Sequence, residues 1–188
     1  MTVHPFTWLS ALLLVSRVWA MPTNCRFRRG LVEICHSLLI SMGGRFPLRC
    51  IDDHVLVPFP KTAFEYNTRQ QAGAIKQSIY VTLKHIYSVF DNDEVPEQWS
   101  VQEKFEDFQN ILYRQTEENE CVVNKQFESL DDFLKRETAL RVYFEKLRTI
   151  LKEKDFQYCA WEFVRDEVQH ILLFILKTDF DGWFSRRG

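Results

Sequence analysis

Several common chemistries have no motif in this chain of 188 residues. There is no glycine-rich phosphate loop, no Gly-x-Ser-x-Gly elbow, no His-Glu-x-x-His and no zinc-type cysteine spacing. These gaps argue against an enzyme. Charge of one sign is also missing. With 24 basic and 26 acidic residues the formal charge is −2, so no basic field exists and no nucleic acid is expected as a partner. No Asn-x-Ser/Thr sequon occurs, so N-glycosylation is not expected. Sustained strand alternation, internal repeats and low-complexity tracts are absent too. The six prolines (Pro5, Pro22, Pro47, Pro58, Pro60 and Pro96) are confined to the N-terminus and the connections, where they do not interrupt a helix.

Long hydrophobic runs are equally scarce. The compact apolar run from Leu9 to Val15, broken by Ser10, is too short to span a bilayer. It is followed by Val18-Trp19-Ala20, with small or modest residues where a signal peptidase reads. Residues 1–20 therefore read as a cleaved signal peptide, although the leading segment holds His4 and no Lys or Arg. The mature domain would be 21–188, secreted and extracellular, with no membrane insertion. Removing Arg17 takes the charge to −3, from 23 basic and 26 acidic residues. The remaining 168 residues suffice for one domain with a real core. Ile171 to Leu176 is only six residues long and reads as core.

Apolar residues recur at helical spacing in five segments, which predicts an all-α fold. The first runs from about Arg26 to Met42, with Phe27, Leu31, Ile34 and Leu38 as its stripe, and ends at Gly43-Gly44. The second covers about Thr68 to Phe90, with Ala72, Ile75, Ile79, Leu83, Ile86 and Phe90 in phase. The third opens at Ser100, whose spacing to Glu103 is that of a capping box, and buries Val101, Phe105, Phe108 and Leu112. The fourth runs from about Leu130 to Glu153 through Phe133, Leu140, Phe144, Leu147 and Leu151. The fifth runs from about Phe156 to Lys177 through Ala160, Val164, Val168, Ile171 and Ile175. The connection from Gly43 to about Asn67 is long enough to cross a bundle, whereas Asp91 to Trp99 is short and implies antiparallel neighbours. That pattern suits an up-up-down-down bundle with five main helices, one of them in the second crossover.

Two Glu-x-x-His spacings, Glu33/His36 and Glu167/His170, could contribute to a di-iron site in a bundle. Direction argues otherwise: the first pair points away from its stripe and the second sits at the border of its own. Exposed charges are the simpler reading, and no metal or other cofactor is expected. Arg26, Arg28 and Arg29 read as a solvated face, with a heparin-like or receptor contact as the other option. Trp161 reads first as a core or boundary residue. Five cysteines follow the signal: Cys25, Cys35, Cys50, Cys121 and Cys159. A secreted chain favours disulfides, an odd count leaves one over, and residue order alone does not fix the pairing.

The stretch from Leu140 to Val168 carries the most information. It contains Cys159-Ala160-Trp161-Glu162-Phe163-Val164-Arg165 directly after the amphipathic LRVYFEKLRTILKEKDFQY. This resembles the Cys-Ala-Trp-Glu-x-Val-Arg signature that opens the last helix of type I interferons. The similarity extends to Phe105, to Glu120-Cys121-Val122, and to Cys50 with its neighbouring prolines. The cysteine pattern resembles that of the four-cysteine fish members. The resemblance implies the pairing Cys25–Cys121 and Cys50–Cys159, with Cys35 left over. Lying beside the stripe of the first helix, one residue after Ile34, Cys35 reads as a small buried core residue, with an intermolecular disulfide or a reactive thiol as the other options.

The resemblance also implies a function: a secreted antiviral cytokine that bridges two class II cytokine-receptor chains. Their Janus kinases would then phosphorylate STAT factors and induce antiviral genes. The ligand would be a monomer, would perform no chemistry, and would bind a heterodimeric cell-surface receptor. One receptor chain would meet the first helix, the loop after the second cysteine and the last helix. The other would meet the opposite face, around the second to fourth helices. Carried onto this chain, the candidate contacts are Arg165, Gln169, Ile51, His54 and Trp161. His54, preceded by Asp52-Asp53, departs from the mammalian pattern, which has arginine there. Arg165 lies off the expected stripe, so Arg165→Ala is expected to weaken binding and spare stability. Other readings are an interleukin-10-like or lambda-type cytokine with a different bridge pattern, a secreted metal-binding helical bundle, and a lipid carrier with an internal cavity in place of a filled core.

Overall fold

The computed structural model describes residues 25, 27–53, 55–65, 72–91, 95–99 and 102–178. The signal segment, the Ser100/Val101 end of the third helix and His54 lie outside them. Among the described residues there are five α-helices and no strand: α1 (Arg29–Gly43), α2 (Ala72–Phe90), α3 (Gln102–Glu117), α4 (Leu130–Glu153) and α5 (Tyr158–Lys177). They form the up-up-down-down bundle. α1 packs on α3 and α5, α2 packs on α3 and α4, and α4 also touches α5. No helix among the described residues is long and apolar enough to cross a membrane.

The helix ends follow local chemistry. Ser129 caps α4 by accepting a hydrogen bond from the Asp132 N–H at 3.2 Å, and Asp131 and Asp132 place negative charge at the positive end of the helix dipole. α4 closes at Lys154, and the next two residues adopt left-handed φ values of 49° at Asp155 and 51° at Phe156. The Phe156 N–H reaches back to the Leu151 carbonyl at 2.8 Å. α5 therefore starts at Tyr158 and not at Phe156, because two left-handed residues cannot continue a right-handed helix.

α1 corrects the expected stripe. Its buried residues are Val32, Cys35, Leu39 and Met42, while Ile34 is exposed and Leu31 and Leu38 are half-buried. Both sets obey 3/4 spacing, because α1 is apolar at nearly every turn. The choice is made by α3 and α5, which cover the Cys35 side, so the burying face is rotated by about one residue, near 100°. Cys35 thus sits on the stripe and not beside it. On α2, Ile75, Ile79, Leu83, Ile86 and Phe90 are buried in phase. Phe105, Phe108 and Leu112 are buried on α3, and Leu140, Phe144, Leu147 and Leu151 on α4, where Phe133 is only half-buried.

The long first connection does cross the bundle. It forms one short 3-10 turn at Leu48–Asp53 and another at Lys61–Phe64. The first is tied to the start of α5 by the Cys50–Cys159 disulfide. The second buries Ala63 and Phe64, and the Phe64 ring lies 5.2 Å from that of Phe174 near the end of α5. At 1.5 Å per residue the two attachment points are roughly 20 Å apart along α5. Arg136 fastens the far end, donating to the Ala63 carbonyl at 2.8 Å and to Glu128 at 3.0 Å. The core between is aromatic-rich. Phe90, Trp99, Phe105, Phe108 and Trp161 cluster around early α5. Phe59, Phe64, Tyr143 and Phe174 cluster around its end.

Candidate functional site

The expected face is assembled by two covalent ties and one buried ion pair. Cys25–Cys121 joins the segment before α1 to the turn after α3, and Cys50–Cys159 joins the first connection to α5. Cys35 is free and buried, and desolvation pushes its thiol up to about 12. The structure thus carries both bridges that the resemblance implied. Beside Cys50, the Arg49 guanidinium stacks 4.5 Å above the Tyr158 ring. The same segment holds Leu48 83%, Ile51 53% and Leu56 84% exposed. Ile51 is therefore accessible, and Leu48 and Leu56 flank it in the chain. Large apolar side chains left in water on one disulfide-pinned connection are what a protein-binding surface requires.

Arg165 is a correction. It is 1% exposed, not solvent-facing. Its Nη1 donates to the Leu39 carbonyl of α1 at 2.9 Å. Its Nη2 and Nε donate to Glu162 Oε2 at 2.5 and 3.2 Å. Glu162 is itself 0% exposed, and its Oε1 accepts from Trp99 Nε1 at 2.6 Å. The inference of exposure assumed a helix with one wet side. Residues 160–165 are instead buried on every side, because α1, α4, the Leu48–Asp53 turn and the rings of Phe90, Trp99 and Phe156 surround this part of α5. A buried charge survives only when paired and hydrogen-bonded, and this spacing of three residues places Glu162 and Arg165 on neighbouring positions of α5.

Trp161 is fully buried within the aromatic cluster, so its role as a core residue stands and direct contact through its ring is excluded. Gln169 is half-buried on α5. His54 lies outside the described residues. Four residues that the sequence reading did not single out belong to this face: Trp99, Glu162, Gly43 and Arg49. The i,i+3 spacing of Glu162 and Arg165 could have signalled a pair. Nothing local foretold Trp99, which reaches Glu162 from a connection 63 residues away in sequence. At Gly43, a Cβ would overlap the Arg165 guanidinium, so any larger residue there has to displace that buried group.

The suspected metal pairs engage other partners. Glu33 is exposed and pairs with Arg29 at 2.8 Å. Glu167 accepts the Tyr143 hydroxyl at 2.6 Å, and His170 is exposed beside Asp166. Among the described residues no group of three or more His, Cys, Asp or Glu could hold a metal ion. Of the arginine cluster, Arg28 pairs at 3.0 Å with Glu118, just past the end of α3, and Arg26 lies outside the described residues.

A five-helix up-up-down-down bundle with two long-range bridges is a helical cytokine. Residues 28–179 match the family model described as "Interferon alpha/beta domain". Interferon alpha-7 of Homo sapiens is 29% identical over 154 residues, covering 80% of this chain and 78% of the relative. Interferon alpha-2 of Equus caballus is 27% identical over 171 residues, covering 87% and 91%. Among solved structures, zebrafish interferon 2 is 42% identical, with a TM-score of 0.76 over 80% of this chain and 97% of that one. Zebrafish interferon 1 is 26% identical, with a TM-score of 0.61 over 77% and 89%. The chain belongs to the interferon alpha/beta family and is a type I interferon. Its two disulfides fit the fish type. The family consists of non-enzymatic signalling proteins that bind cell-surface cytokine receptors.

Proposed function

We propose that this interferon is secreted after removal of residues 1–20 and acts as a monomer that bridges two different class II cytokine-receptor chains. The bridging brings two Janus kinases together, STAT factors are phosphorylated, and antiviral genes are induced. The observation that carries the reading is the family match over residues 28–179. The exposed Leu48, Ile51 and Leu56 on a segment pinned to α5 support a receptor contact there. In this reading Ile51 and Gln169 touch one receptor chain together with α1, and His54 lies in the same connection. Arg165 and Trp161 act from beneath, since neither has surface to offer. The opposite face, built on α2, α3 and α4, meets the second chain.

The test is assembly of the ternary complex from purified parts. The secreted protein is mixed with the ectodomains of both receptor chains and sized by chromatography with light scattering. One copy of each chain per ligand is expected. Ile51→Asp should remove one receptor chain and retain the other. A ligand that binds two copies of a single chain, or neither chain, would contradict the proposal.

A further inference from the structure

We infer that Arg165 is a positioning residue: it fastens the last turns of α1 to α5 and thereby fixes where the first connection presents Leu48 and Ile51. Four observations converge on this role. α1 has no basic residue in its own last turn, although a cation there complements the helix dipole. Lys104 of α3 reaches the Ser41 carbonyl there at 3.5 Å, and Arg165, 126 residues away, donates to the Leu39 carbonyl one turn before the helix end. Gly43 lacks the Cβ that would collide with the guanidinium. The next residue, Gly44, leaves the helix with φ 69°, a left-handed exit open to glycine.

The geometry of the connection explains why this end matters for binding. Only residues 44–49 separate the end of α1 from Cys50, which is fixed to Cys159. Arg49 is held on Tyr158 as well. The segment is therefore clamped at both ends onto the same helix, α5, at Arg165 on one side and at Tyr158 and Cys159 on the other. A short clamped segment has little freedom of its own, so the direction of the α1 exit is transmitted to Leu48 and Ile51. Glu162 and Trp99 hold the guanidinium in place for this task, since Glu162 takes two of its donors and is itself fixed by the indole N–H.

The inference rests on the receptor reading above only for its consequence in binding; the fastening of α1 stands separately. Gly43→Ala is the most selective probe, because it displaces the guanidinium without altering any charge. Gly30→Ala makes the same chemical change where no atom lies within 4 Å, and serves as the stability control. Two quantities are measured: amide hydrogen exchange across residues 44–53, and affinity for each receptor ectodomain separately. Gly43→Ala is expected to speed exchange across 44–53. It should weaken the chain that contacts α1, the connection and α5 by roughly 2- to 30-fold, the range in which residues without ligand contact act through a neighbour. Affinity for the other chain should be unchanged. Arg165→Lys, which keeps the cation but loses the fork that reaches both Glu162 and Leu39, should give the same split if the alanine variant does not fold. Equal loss of both affinities would make the pair merely structural and overturn the inference. Unchanged exchange across 44–53 in a folded variant would overturn it as well. If the wild-type protein binds neither receptor chain, the receptor reading fails, and the exchange data still decide whether Arg165 fastens the end of α1.

Discussion

Replacing Arg165 with alanine removes three hydrogen bonds at once and leaves the Glu162 carboxylate buried without its counter-ion. Trp99 Nε1 remains its neutral donor. Removing one partner of a buried ion pair costs about 3–5 kcal/mol, because the surviving charge keeps its desolvation penalty and loses its compensation. For a domain of this size each kcal/mol shifts the melting temperature by roughly 2–4 °C, so a fall of about 6–20 °C is expected. Differential scanning calorimetry and urea unfolding of the purified protein measure it. The double variant Glu162→Gln/Arg165→Met carries neither charge, keeps an acceptor for Trp99 and should recover most of the loss. A coupling of at least about 2 kcal/mol in the double-mutant cycle is the signature of the pair. If Arg165→Ala melts within about 2 °C of wild type, the guanidinium is not holding this part of the core and the buried network is wrong.

Three further outcomes follow from the structure. Replacing Cys50 and Cys159 by alanine opens a loop of 109 residues and should cost up to about 5 kcal/mol on the chain-entropy scale, read as a lower urea midpoint. Cys35, buried and with its thiol raised to about 12, should resist iodoacetamide in the native protein and react once the chain is unfolded; rapid native labelling would place it at the surface. His85 is held down to about 4 by burial and then by Arg148, against an ordinary value of 6.5, and stacks 5.2 Å from Phe144. Between pH 6.5 and about 4 the unfolded chain binds the proton that the folded chain refuses, so stability rises with pH through that window and falls on acidification. His85→Gln should flatten the melting-temperature profile there by a few degrees relative to wild type; an unchanged slope would mean that His85 protonates freely in the fold.

Periodicity was a good guide wherever a helix has one dry side. α4 runs from Leu130 to Glu153, the limits its apolar spacing indicated, and Leu140, Phe144, Leu147 and Leu151 are buried along it. The cysteine framework was legible only through the family resemblance, since spacing alone leaves the pairing of five cysteines open. Periodicity failed where a helix is apolar or enclosed on several sides. α1 offers two stripes with the same spacing, and only the placement of α3 and α5 selects the one that includes Cys35. Around residues 160–165 the same failure turned Arg165 from a core ion pair into an apparent surface contact. The start of α5 was misplaced by two residues because Phe156 is not a typical left-handed residue, and Asp155 alone, with no glycine or asparagine beside it, does not announce the turn. The partnership of Trp99 with Glu162 is purely tertiary and has no local signal.

In the proposed function this interferon signals by joining two different receptor chains. The most direct measurement is STAT phosphorylation in cells that express both chains, either chain alone, or neither, exposed to medium containing the secreted protein. Phosphorylation and induction of antiviral genes only in cells carrying both chains is the predicted result. Signalling through either chain alone, or none with both present and correctly displayed, would contradict it.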